Sequence, residues 1–179
     1  MNVKFNDEDL LSKIAIAMVQ NPRSTLKELA EHAGISNATL YRFCGSRDNL
    51  DNILLQKSES ILDEIIKIAI KDYDNYVLGL DELIKEHYKN NEILQLLFSL
   101  QITSSQNKYD SYFESIDNFF LQGQKNREFR IDLNANFLTT VFTSSIYGLI
   151  NAKYRGRVAS TGLEASFKDF FLSGAYQNE

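Results

Sequence analysis

The chain has 179 residues, 44% of them apolar, with one proline, one cysteine and a net charge of −5. That length can bury a real core and suits one or two domains. No apolar run approaches the roughly 18 residues of a membrane span, the acidic, polar stretch from Met1 to Leu11 does not read as a secretory signal, and a lone cysteine cannot close an internal disulfide, so a cytoplasmic, non-membrane protein is expected.

The first predicted helix covers Asp7 to Val19, with Leu10, Leu11, Ile14, Ala17 and Met18 facing inward, and Asn21-Pro22-Arg23 ends it. Thr25 and Glu28 then form a T-x-x-E capping box, so a helix starts at about Leu26. Leu26, Leu29, Ala30 and Ala33 make its apolar face. Gly34 stops it in the left-handed conformation, and Ile35 can plug the angle that follows. Ser36 caps the next helix, which runs from about Asn37 to Phe43 or Cys44. Leu40 points inward, with Phe43 or Cys44 one turn later. Two short helices around a tight turn are the layout of a helix-turn-helix, whose second helix enters the major groove of DNA. Ala38 is small enough to let that helix sit deep. Asn37 and Thr39 can hydrogen-bond base edges, and a threonine methyl can contact a thymine methyl. Tyr41 and Arg42 suit phosphate oxygens. Gly45 breaks the helix, Ser46 caps the next, and the amides around Arg47 offer an anion-binding helix N-terminus. Thr25, Lys27, Ser36, Ser46 and Arg47 complete the expected DNA-binding set.

The stretch from Thr25 to Leu50 closely resembles the N-terminal domain of the TetR family of bacterial repressors. Thr25-Leu26-Lys27-Glu28-Leu29-Ala30, Ala33-Gly34-Ile35-Ser36, Thr39-Leu40-Tyr41-Arg42 and Ser46-Arg47-Asp48-Asn49-Leu50 carry the resemblance. It implies a homodimer that binds a palindromic operator and releases it when a small molecule binds the C-terminal domain. In one place the chain departs from the family pattern. Phe43 occupies a slot that usually holds His or Tyr, and Cys44 follows where an aromatic is usual. Phe43 is expected to supply the packing that Cys44 cannot.

The negative charge sits awkwardly with DNA binding, because phosphates dominate affinity. Between Gln20 and Arg47, however, four basic residues face two acidic ones, a local balance of +2 that leaves −7 for the rest. So thin a basic footprint calls for two half-sites acting together.

A long helix from Ser46 to about Lys71 leads out of this unit, with Leu50, Ile53, Leu54, Ser58, Ile61, Ile65 and Ile68 on one face. Asp72 to Gly79 reads as a polar break, Leu80–Lys89 and Asn91–Gln101 as two helices, and Thr103–Asn107 as a loop. Lys108 to Asn126 is amphipathic and aromatic. A loop around Glu128–Asp132 precedes two last helices, Asn134–Tyr154 and Thr161–Tyr176. The expected fold is all-α, with a helix-turn-helix domain over 1–48 and a helical ligand-binding and dimerisation domain over 49–179. In the last two helices Phe137, Val141, Ser145, Gly148, Leu149, Ala152, Phe167, Phe170, Phe171 and Gly174 mix large and small side chains. Paired with a second copy, they would form a four-helix bundle. Tyr88, Phe98, Gln101, Tyr112, Phe113, Phe142 and Tyr147 are the expected lining of a pocket for a flat, hydrophobic, weakly polar ligand. Glu86 and His87 could add polar contacts unless solvated.

No spacing of Cys and His suits a metal, and neither a nucleophile elbow nor a phosphate loop occurs, so no cofactor and no catalysis are expected. Cys44 reads as a small core residue. The expected function is a transcriptional repressor. The alternatives are a DNA-binding protein of the same fold whose C-terminal domain docks a protein partner, and an interaction module with no DNA role.

Overall fold

The computed structural model describes residues 7–100 and 106–176. Among these residues the chain forms α1 (Asp7–Gln20), α2 (Leu26–His32), α3 (Asn37–Cys44), α4 (Arg47–Ala69), α5 (Tyr76–Lys89), α6 (Asn91–Leu100), α7 (Gln106–Lys125), α8 (Ala135–Tyr154) and α9 (Leu163–Ala175). The only extended pairing among them is an isolated antiparallel bridge between Phe129 and Tyr176. No described helix is long and apolar enough to cross a membrane.

The helices divide into two compact units. The first holds α1, α2, α3, α4 as far as Ser60, and α6. It therefore takes in α6 and the early turns of α4, which the sequence reading assigned to the second domain. Its core is aliphatic. Leu10, Ile14 and Met18 of α1, Leu26 and Leu29 of α2, Leu40 and Cys44 of α3, Leu50 and Leu54 of α4, and Ile93, Leu94 and Leu97 of α6 are buried. Ser58, also buried in this stretch, satisfies its hydroxyl on the Leu54 carbonyl at 2.8 Å.

The second unit holds the rest of α4 with α5, α7, α8 and α9. Its core is aromatic. Phe119, Phe120, Phe129, Phe142, Phe167 and Phe171 are buried and meet at centroid distances of 5.3–6.0 Å, several of them edge to face. Two glycines permit this density. A Cβ on Gly123 would lie 2.3 Å from the Phe129 ring, and one on Gly79 would lie 2.8 Å from both Phe119 and Tyr73.

The stretch read as a polar break, Asp72 to Gly79, already contains the start of α5. Two side chains make that early start possible. Asn75 Oδ1 accepts from the Leu78 amide at 3.1 Å, and Glu128 Oε2 accepts from the Val77 amide at 3.1 Å. The α7–α8 connection is held just as firmly. Gln124 Nε2 donates to the carbonyls of Arg130 and Leu133, both at 2.6 Å. The Arg130 amide donates to the Ala175 carbonyl at 2.9 Å, tying the loop to the end of α9.

Candidate nucleic-acid interface

Local chemistry builds the α2–α3 unit. The Thr25 amide and hydroxyl donate to Glu28 Oε2 at 2.7 and 2.9 Å, while the Glu28 amide donates to Thr25 Oγ1 at 3.4 Å. The capping box expected from sequence is therefore present. The Thr25 amide also holds the Glu28 carboxyl below its ordinary pKa. At the far end of α2, Gly34 has φ +67°. The Gly34 amide reaches the Glu31 carbonyl at 3.1 Å and the Ile35 amide the Ala30 carbonyl at 2.9 Å, a Schellman closure. Ser36 Oγ accepts from the Thr39 amide at 3.0 Å and shares a 2.8 Å hydrogen bond with the Thr39 hydroxyl.

This geometry sets which face of α3 is free. Leu40 and Cys44 turn inward. Ala38, Tyr41 and Arg42 are exposed, Tyr41 by 52%, and Asn37 and Thr39 are half-buried. The Asn37 Oδ1 atom is buried and lacks a hydrogen-bond partner in the protein. Lys27 and Thr25 are exposed at the start of α2.

The expected exchange of roles between Phe43 and Cys44 does not occur. Cys44 is 3% exposed and donates to the Leu40 carbonyl at 3.2 Å, whereas Phe43 is only half-buried. A thiol one turn after Leu40 fits the tight space under α3 better than a phenyl ring. Burial pushes the Cys44 thiol above its ordinary pKa, so it stays protonated and unreactive.

Beyond Gly45, with φ +71°, Ser46 Oγ accepts from the Asn49 amide at 3.2 Å and caps α4. The Asn49 side chain donates to the Cys44 carbonyl at 2.7 Å. Arg47 is committed inside the protein. Its Nε meets Asp51 Oδ1 at 3.0 Å and Oδ2 at 3.2 Å, and its Nη1 donates to the Ser24 carbonyl at 2.7 Å.

The residues expected to line a pocket are dispersed. Phe98 belongs to α6 in the first unit, and Gln101 lies outside the described residues. Tyr88, Tyr112, Phe113, Phe142 and Tyr147 belong to the second unit. Tyr112 and Phe142 are fully buried, and Tyr112 stacks edge to face on Phe113 at 5.0 Å. Between Tyr112 and Phe142 sits His87, 1% exposed rather than solvated. Its Nδ1 lies 2.7 Å from the Leu83 carbonyl and its Nε2 lies 2.8 Å from the Tyr112 hydroxyl. A carbonyl only accepts, so Nδ1 carries the proton and Nε2 accepts from Tyr112. Burial pushes His87 down to about 4 and drives the Tyr112 phenol upward. Sequence pattern gave no sign of this pair, because Tyr112 lies 25 residues away. Burial also pushes the Tyr88 phenol up to about 12.

On α8 and α9 the expected interface residues separate into two layers. Phe167 and Phe171 turn into the unit's own core, against Phe142. They do not project outward as expected, because α9 needs one face for its own domain. Phe137 and Phe170 stay out, 51% and 76% exposed. Val141, Ser145, Leu149 and Ala152 are half-buried, and Gly148 and Gly174 are exposed. Two shallow apolar grooves share the Phe170 ring. One, of about 490 Å³, lies over Ser145, Gly148, Leu149, Leu163, Ser166 and Phe167. The other, of about 380 Å³, includes Leu133, Phe137, Val141, Phe171 and Gly174.

No family model matches the chain. It is 40% identical over 181 residues to the HTH-type transcriptional regulator NfxB of Pseudomonas aeruginosa, covering 98% of this chain and 97% of that protein. Its fold is similar to that of the ketosteroid transcriptional regulator KstR2 of Mycobacterium tuberculosis, with a TM-score of 0.73, 14% identity and coverage of 99% and 98% of the two chains. It is also similar to the TetR family transcriptional regulator PfmR of Thermus thermophilus, with a TM-score of 0.64, 14% identity and coverage of 90% and 94%.

Proposed function

The chain belongs to the helix-turn-helix transcriptional regulators and carries the TetR-family fold, and from that premise we propose that it is a homodimeric repressor of a palindromic operator, released by a small hydrophobic ligand. The observation that carries this reading is the free face of α3. Ala38, Tyr41 and Arg42 stand exposed on a helix whose two ends are fixed by Ser36 and Gly45. Asn37, Ala38 and Thr39 read base edges, and Tyr41, Arg42, Lys27 and Thr25 hold phosphates.

The thin basic charge supports a dimer, since one half-site offers few phosphate contacts. The apolar stripe of Phe137, Gly148, Leu149 and Phe170 supplies a self-complementary surface for it. In the DNA-bound dimer the two recognition helices would stand roughly 34–36 Å apart, one helical turn of DNA. The ligand enters the aromatic second unit. Its binding acts on the spacing through α4, the helix that runs through both units.

A gel-shift titration against the DNA upstream of the protein's own gene tests the proposal. The expected result is a palindrome-dependent shift at low salt, lost when Tyr41 and Arg42 are both replaced by Ala. A shift indifferent to the palindrome, or to that double replacement, overturns it.

A further inference from the structure

Arg47 opens α4, where a cation would be free to meet a phosphate. The structure gives it other work. The Nε–H is shared between both oxygens of Asp51, and Nη1 reaches the carbonyl of Ser24, the residue just before the Thr25 cap of α2. The Arg47 side chain is 31% exposed and its charge is already paired.

The position of this contact in the chain matters. α2, α3 and α4 follow one another through two tight glycine turns, at Gly34 and Gly45. Neither turn by itself fixes the angle between α2 and α4. The Arg47–Ser24 bond spans 23 residues and closes the three helices into a ring. A planar guanidinium gripped on two edges has little rotational freedom, unlike an ammonium on a flexible stem. The Asn49 side chain, on the Cys44 carbonyl, ties the end of α3 to the same first turn of α4.

We propose that Arg47 is a positioning residue for DNA recognition and not a phosphate ligand. Together with Asp51 it sets the start of α2 against the start of α4 and so aims α3. The inference rests on the reading of α3 as the recognition helix.

The test compares two duplexes, one selected by the wild-type protein from a random library and a scrambled one of equal length. Affinities are measured over a range of KCl concentrations for the wild type, Arg47→Gln and Asp51→Ala. Circular dichroism reports the folded fraction, and Asp51→Ala changes only a partly exposed side chain. A misaimed helix loses specific binding first. Both variants are expected to lose about tenfold on the selected duplex with little change on the scrambled one, and to keep the wild-type salt slope. A phosphate ligand behaves differently. Arg47→Gln would then weaken both duplexes alike and lower the salt slope by about 0.9. Asp51→Ala, by freeing the guanidinium and removing a negative charge, would bind both as tightly or more tightly. Either result overturns the proposal, as does a loss that vanishes once the folded fraction is counted. Failure of the wild-type protein to select any duplex counts instead against the reading of α3.

Discussion

A histidine with no water around it must pass its proton problem to its neighbours. At His87 the Leu83 carbonyl takes the Nδ1 proton and Tyr112 gives its own proton to Nε2, so both ring nitrogens are satisfied in the neutral form. Charging the ring would place a cation in a fully buried site, and burial is what holds its pKa down. The pH dependence follows with a definite sign. The folded pKa is about 4 against an ordinary 6.5, so the unfolded chain binds more protons between those values. Stability from this group is complete above pH 6.5 and is lost as the pH falls toward 4. Between pH 7.5 and pH 5 the loss is about 2 kcal/mol. The carboxylates whose pKa is lowered on folding (Glu28, Asp81, Glu82 and Asp132) start from ordinary values of 4.5 or below, so they act at lower pH. Urea midpoints measured at pH 7.5 and 5 should therefore drop in the wild type. In His87→Gln they should start lower but stay nearly level. An equal drop in that variant would place the titration elsewhere.

At the scale of elements, the signals legible in the sequence were those whose partners lie within four residues. The Thr25–Glu28 box, the Gly34 stop, the Ser36 cap and the apolar faces of α1 and α4 are local, and each stands where the pattern put it. What escaped was fixed from a distance. The start of α5 at Tyr76 instead of Leu80 escaped in part for that reason: Glu128, 51 residues further on, supplies an acceptor for its first turn, beside the local Asn75 cap. Phe129 lies in a connection, yet it is fully buried because Gly123 leaves room for its ring. The commitment of Arg47 to Ser24 was hidden for the same reason. These long-range fits can be tested by adding one carbon. Gly123→Ala gains helix propensity, yet its Cβ would sit 2.3 Å from a ring that is enclosed on every side. A net loss of about 1–3 kcal/mol is expected in urea denaturation. Gly79→Ala should cost less, because Tyr73, one of its two neighbours at 2.8 Å, is half-buried and can swing outward. The reverse order would mean that the aromatic core is looser than its contacts imply.

For the whole molecule the governing quantity is charge. In the proposed dimer a chain carrying −5 becomes a pair carrying twice that, and this pair has to approach a polyanion. With Arg47 held by Asp51, the stretch around α2 and α3 has Arg23, Lys27 and Arg42 against Glu28 and Glu31, a local +1, so in the proposed dimer useful affinity depends on holding two such surfaces at once. Linking two weak sites in the right geometry raises the overall affinity by about 10²–10⁴-fold through effective concentration. The proposed link is the face of α8 and α9, where Phe170 stands 76% exposed between two apolar grooves. Phe167 and Phe171 on the same helix serve the domain's own core, so Phe170 can be changed without touching it. Phe170→Glu is therefore expected to leave the fold and the binding of a single half-site duplex intact. In sedimentation at micromolar concentration it should run as a monomer, because the interface would then bury unpaired carboxylates. Its affinity for the complete palindrome should fall to that of one half-site. A variant that stays dimeric and keeps full affinity would move the interface away from α8 and α9, and the apolar grooves beside Phe170 would then need another occupant.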